Sequence, residues 1–240
     1  MLNEIVLNIF FFAILLYSII IHEVAHGYVA LWLGDTTAKY AGRLDLNPMK
    51  HIDPVGSVLV PLIMYYSFGF AFGWAKPVPY NPYNLRDQKW GPALVALGGP
   101  ASNISIALIA AFIAKLIPIT ILAKEDIIGA FKIAVYSNAS FADRWANIAD
   151  VIAQSFGNIF FFLMIAIIFW NIILAFFNLI PIPPLDGSKI LYSILDLKIE
   201  TVAMLEQFGF IALLAIVLLF GGFLGMFISF FINLFFSMTI

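Results

Sequence analysis

The sequence contains no cysteine. That excludes disulfides, thiolate metal sites and a cysteine nucleophile, and it leaves the redox compartment undetermined. Charge is also scarce: only 11% of the 240 residues are Asp, Glu, Lys or Arg, and the formal net charge is −2. Without a basic excess there is no electrostatic footprint for a nucleic-acid partner. Histidine occurs three times. What the chain has in quantity is apolar surface. Hydrophobic residues make up 63% of it, and mean hydropathy is +1.02. A water-soluble domain of this size cannot bury that much. Lipid is the solvent that suits such a chain.

Five apolar stretches stand out, at about 5–33, 55–72, 92–118, 155–182 and 207–238. The first is far longer than the roughly 7–15 residue core of a signal peptide. It lacks a basic leading region and a small-residue cleavage site, so it reads as a retained transmembrane helix. The first, third and fourth stretches meet the roughly 20 residues that a full span requires. Stretch 55–72 is short and carries Pro61 and Gly69. Stretch 207–238 has no charge and as one helix would be close to 50 Å long, so it is either steeply tilted or broken near Gly221-Gly222. The polar segments 34–54, 73–91, 119–154 and 183–206 are too short to be separate domains. Segment 119–154 has the composition of an interfacial loop, and residues 38–46 alternate enough for a short strand. The expectation is one all-α polytopic membrane domain over 1–240. It has a three-helix core, a re-entrant or short helical segment at 55–72, a C-terminal helix or hairpin, and minor β structure.

Lys and Arg favour the cytoplasmic side of a membrane. Segments 34–54 (Lys39, Arg43, Lys50) and 73–91 (Lys76, Arg86, Lys89) are equally basic, which argues against their lying on opposite sides. If 55–72 dips in and returns, these two segments join 183–206 (Lys189, Lys198) on one face. Eight basic residues then lie inside, against Lys124, Lys132 and Arg144 outside.

The first span carries His22-Glu23-Val24-Ala25-His26. Histidines at i and i+4 leave one face of a helix about 6 Å apart along its axis, so both imidazoles can share an ion. Glu23 beside them is placed to take a proton from water rather than to ligate. The pattern should arise by chance in roughly one such sequence in a thousand. A bland reading, two helix histidines bonded to carbonyls, is weakened by the apolar span, where ionisable groups are costly and usually functional. Zinc needs a third protein ligand. Position 32, where an extended soluble motif would place histidine, is Trp32, and the next glutamate is Glu125 in a polar segment. The distal candidate lies in Asn178-Leu-Ile-Pro181-Ile-Pro183-Pro184-Leu185-Asp186-Gly187. Its prolines force the backbone to unwind, and Asp186 follows them. By depth, Asp186 meets the histidines only if this segment folds back in or lines a cavity.

These residues resemble the site-2 protease family of intramembrane zinc metalloproteases. Further matches are Gly99-Pro100-x-x-Asn103, Asn47-Pro48-x-x-His51-x-Asp53-Pro54-x-Gly56 and Gly73-Trp74-Ala75-Lys76-Pro77-Val78-Pro79. The resemblance covers most of 15–200 and is closest to compact members without PDZ or CBS domains. It implies one Zn²⁺ per chain held by His22, His26 and Asp186, with Glu23 as general base. It implies a cell-membrane enzyme whose site opens toward the cytoplasm, and a single-span membrane protein as substrate. Asn103 and Asn178 would steady the scissile carbonyl or the substrate backbone, or else bond helix to helix. An edge strand from 38–46 or 73–91 could hold the unwound substrate extended. His51 and Asp53 read as loop-structuring, and Lys115 as an interfacial residue. A secondary transporter or ion-binding membrane protein is the alternative. It would favour inverted repeats, which the sequence does not show.

Overall fold

The computed structural model describes residues 4–68, 73–136, 146–197 and 199–240. In chain order its helices are α1 (Glu4–Trp32), α2 (Thr37–Tyr40), α3 (Val60–Phe68), α4 (Gly91–Leu116), α5 (Ile121–Tyr136), α6 (Ala146–Ile152), α7 (Phe156–Asn178), α8 (Asp186–Leu195) and α9 (Ile199–Ser237). Short helical turns at Pro48–Lys50, Pro54–Leu59 and Pro82–Asn84 complete the order, and no strand forms among the described residues. Helices α1, α4, α7 and α9 are long and apolar enough to cross a membrane. A helix satisfies its own backbone hydrogen bonds, which lipid cannot do for it. The chain is a multi-pass, all-α membrane protein.

Two compact units can be distinguished. One comprises Met1–Ser18, Ile104–Leu174 and Gly222–Ile240; the other comprises Ile19–Asn103 and Ala175–Gly221. The first has an aromatic core. Phe131 of α5 lies with ring centroids 6.1 Å from Phe11, 5.3 Å from Phe169 and 5.9 Å from Phe236. Tilted and edge-on pairs of this kind add to simple burial. Trp170 donates its indole N–H to the Phe11 carbonyl at 3.1 Å, and Asn171 donates to the Ser18 hydroxyl at 2.9 Å. Segment 119–154 is therefore not simply a loop, because α5 is a core helix. Its charges hid that, since Lys124 looks interfacial in sequence. The buried Lys124 ammonium instead donates to the carbonyls of Ala114, Lys115 and Thr239 at 3.0–3.1 Å.

The second unit contains the polar segments around the histidine pair of α1. Within stretch 55–72 the described helical residues end at Phe68. Pro54–Leu59 and α3 hold 6 and 9 residues, roughly 20 Å of helix and short of a full span. Beyond them the chain comes back beside its own start: the Trp74 amide donates to the Gly56 carbonyl at 3.0 Å. A Cβ on Gly56 would sit 2.2 Å from the Trp74 indole nitrogen, so glycine is what allows the approach. Segments 34–54 and 73–91 are tied together. The Lys76 amide donates to His51 at 2.9 Å, Arg43 donates to the Lys76 carbonyl at 2.7 Å, and the Arg86 amide donates to Leu33 at 2.9 Å. His51 is buried and Asp53 caps the turn at Pro54, accepting from the Val55 and Gly56 amides, so both structure the loop.

Two further expectations need correction. Residues 38–46 form no strand: Asp35 accepts from the Thr37 amide and hydroxyl, a local turn that starts α2 and buries Ala38. Asp186 is not on unwound chain but is the first residue of α8. Of the alternatives for the charge-free C-terminal stretch, the single helix is the one observed: α9 runs unbroken for 39 residues through Gly221-Gly222. Out of water, helical hydrogen bonds at the glycine pair have no competitor.

Asp35 is the knot of these segments. Fully buried, it accepts from Thr37, from the Asn81 amide at 2.7 Å and from the Asn84 side chain at 2.9 Å. Burial would raise its pKa, but these donors hold it below its ordinary 3.8. A depressed carboxylate stabilises the fold at pH values above its unfolded pKa and loses that contribution as pH falls through the folded value. Asp35→Ala is expected to lower unfolding free energy by about 2–3 kcal/mol at pH 7, because charged hydrogen bonds are lost and donors are stranded. Unfolding followed in detergent should show the difference from wild type shrinking below pH 3.8.

Candidate metal centre

The cluster is built by three backbones meeting closely, all within the second unit. α4 approaches α1 at Gly98-Gly99. A Cβ on Gly98 would lie 2.9 Å from Val29 and 3.2 Å from the Ala25 carbonyl. One on Gly99 would lie 2.5 Å from His22 Nε2 and from His26 Nε2. Only glycine leaves the space in front of both imidazoles open. The chain after α7 then folds back: a Cβ on Gly187 would lie 2.2 Å from the Leu179 carbonyl. This close contact of α8 with the end of the previous helix brings Asp186 to the histidines.

His22, His26 and Asp186 each offer one ligand atom, all within 4.8 Å of one another. Asp186 Oδ2 stands 3.1 Å from His22 Nε2 and 3.2 Å from His26 Nε2.

The residues fit a metal ion by their outer hydrogen bonds. His22 Nδ1 lies 2.5 Å from Asn103 Oδ1, which accepts. His26 Nδ1 lies 2.7 Å from the Val95 carbonyl, closer than the 3.3 Å approach of the Gly99 amide. Each Nδ1 therefore carries the proton, and each Nε2 presents a lone pair to the shared space. Two imidazoles and a carboxylate are a zinc donor set that leaves a fourth position open.

Glu23 stands outside this ligand set. Its Oε2 accepts from the Val78 amide at 3.0 Å. Pro77 and Pro79 have no amide hydrogen, so in Pro77-Val78-Pro79 only Val78 can donate. Gly27 lets this segment come close, since a Cβ there would lie 2.9 Å from Val78. Nearby, burial and then the Glu206 and Asp186 carboxylates push the Tyr80 phenol up to about 12.

The structure thus brings together His22, Glu23, His26, Asn103 and Asp186. Asn103 is fully buried and its carbonyl is engaged with His22. Asn178 is the last residue of α7 and is half-buried. Sequence reasoning missed the Val95 carbonyl, which has no side-chain signal. It also missed the Val78 amide, whose signal was the pair of prolines around it.

The family model described as Peptidase family M50 matches residues 82–221. The chain is 33% identical over 205 residues to "Putative zinc metalloprotease YwhC" of Bacillus subtilis strain 168, covering 84% of this chain and 77% of that one. It is 30% identical over 94 residues to "Putative zinc metalloprotease Rip2" of Mycolicibacterium smegmatis, covering 39% of this chain and 35% of that one. No solved structure matches. Four helices long and apolar enough to cross a membrane, a His-His-Asp cluster and these matches converge: the chain belongs to peptidase family M50 and is a membrane zinc metalloprotease.

Proposed function

We propose that the chain is an intramembrane endopeptidase. It would hydrolyse peptide bonds within or beside the transmembrane segment of single-span membrane proteins, in regulated intramembrane proteolysis. The observation that carries this reading is the ligand cluster within 4.8 Å, with His22, His26 and the neighbouring Glu23 on α1, a helix long and apolar enough to cross a membrane. One Zn²⁺ per chain would be held by His22, His26 and Asp186, and the whole chain would act as one protease domain.

When bound, zinc supplies a Lewis acid that polarises a carbonyl and makes water acidic near neutral pH. Glu23 takes the proton of the attacking water as its oxygen bonds to the peptide carbon. Glu23 then gives that proton to the nitrogen as the C–N bond breaks. The Val78 amide fixes which oxygen of Glu23 is free to do so. Asn103 and Val95 fix the imidazoles, and Asn178 steadies the substrate backbone. With 38–46 helical and looped, the segment at 73–81 is the remaining candidate for holding the unwound substrate extended.

The expected result in detergent is cleavage of a model single-span substrate by wild type. Glu23→Gln should lose about 10²–10⁴-fold of that rate, the usual contribution of a general base. It should keep its zinc, because the residue is not a ligand. Cleavage at an undiminished rate by Glu23→Gln would refute the assignment.

The basic segments 34–54, 73–91 and 183–206 would face the cytoplasm in the cell membrane. In this cysteine-free chain, Tyr83→Cys provides a single exposed thiol. Labelling by an impermeant reagent from the cytoplasmic face alone is expected. Labelling from the outer face alone would reverse the orientation.

A further inference from the structure

A cavity of about 670 Å³ adjoins the metal cluster within the second unit. Tyr80, Pro184, Lys189, Tyr192 and Glu206 are in its wall, and the ion pair of Lys89 with Asp196, at 3.2 Å, stands at its edge. Its link to the cluster is direct: Lys189 Nζ lies 4.0 Å from Asp186 Oδ1, the oxygen turned away from the histidines. Asp186, Lys189 and Tyr192 follow one another at three-residue steps, so they share a face of α8.

Two groups in this wall lack partners. Tyr192 is 8% exposed, yet among the described residues its hydroxyl makes no hydrogen bond of ordinary geometry, Ser188 being its nearest polar neighbour on α8. Ser188, one turn earlier, gives its own proton to the Leu185 carbonyl at 2.6 Å. A buried hydroxyl without a partner costs about 1–3 kcal/mol, so the fold bears a cost that a ligand would relieve. Glu206 lies on the first turns of α9 and forms no ion pair among the described residues.

The chemistry of these groups selects a ligand. A peptide unwound from a membrane helix exposes carbonyls that have lost their helical donors. Lys189 and Tyr192 are donors beside the reacting centre. Transmembrane segments carry Lys and Arg at their cytoplasmic flanks. Glu206 is a free anion for such a residue.

We propose that this cavity is the peptide subsite on one side of the scissile bond. Lys189 and Tyr192 donate to main-chain carbonyls of the unwound substrate, and Glu206 pairs with a Lys or Arg flanking its membrane span. The proposal rests on the protease reading for its substrate class, but it predicts binding that needs no catalysis.

The test is photocrosslinking in detergent, using the full chain as Glu23→Gln with a benzoylphenylalanine at Val202, a residue of the cavity wall. The probe is a single-span peptide with a Lys-Lys flank. A crosslink is expected. The isosteric Tyr192→Phe and the surface change Glu206→Lys should each lower its yield about three- to tenfold, the worth of one hydrogen bond or ion pair. A Glu-Glu flank on the probe should restore the yield with Glu206→Lys. No crosslink at Val202, or a yield indifferent to Tyr192→Phe and to the charge swap, overturns the proposal. Cleavage of the same peptide by zinc-loaded wild type is scored separately. Cleavage without a crosslink sinks the subsite and leaves the protease reading standing. A charge-dependent crosslink without cleavage supports the subsite and counts against the protease reading.

Discussion

A carboxylate and two imidazoles are held together out of water, and the rest of the second unit is arranged around that constraint. Bringing these groups together demands that backbones approach more closely than side chains allow. Gly98 and Gly99 on α4, and Gly187 at the start of α8, sit where a Cβ would collide with the neighbouring chain or with the imidazoles themselves. Buried polar groups of this kind are tolerated only when each is given a partner. The Asn103 side chain and the Val95 carbonyl provide partners for the outer nitrogens of the histidines, which leaves the inner nitrogens committed to the shared space.

The same economy of partners reaches Glu23. Glu23 is on the helix that carries both histidines, but its carboxylate is held by an amide from a distant segment. That segment is itself fixed by Asp35 at one end and by the bonds to His51 and Arg43 at the other. The polar loops are thus a scaffold for one carboxylate oxygen as much as a connection between spans. Regular β structure is not needed for this, because prolines at 77 and 79 leave a single donor at the required point.

Much of this was legible beforehand. His22, Glu23 and His26 lie in one short motif, and helical periodicity alone puts them on one face. Asp186 was found because zinc requires a third ligand and the prolines before it break a helix. The charge balance of two loops suggested a return of 55–72, and the Trp74–Gly56 bond joins the two ends of that region. What could not be read depended on tertiary contact. Lys124 looks solvated until three carbonyls surround it. Residues 38–46 alternate like a strand, but Asp35 offers the backbone a better local bond. The glycine pair in α9 leaves one helix or two open in sequence, and the structure shows one. Val95 contributes through its backbone, to which sequence is blind.

X-ray absorption at the zinc edge of the purified protein tests the central claim most directly. The account predicts about one zinc per chain in a four-coordinate shell of nitrogen and oxygen near 2.0–2.1 Å, with the outer scattering of two imidazoles. That signal should collapse in Asp186→Asn. A six-coordinate ion with one imidazole or none, or zinc whose shell is unchanged by Asp186→Asn, would contradict it.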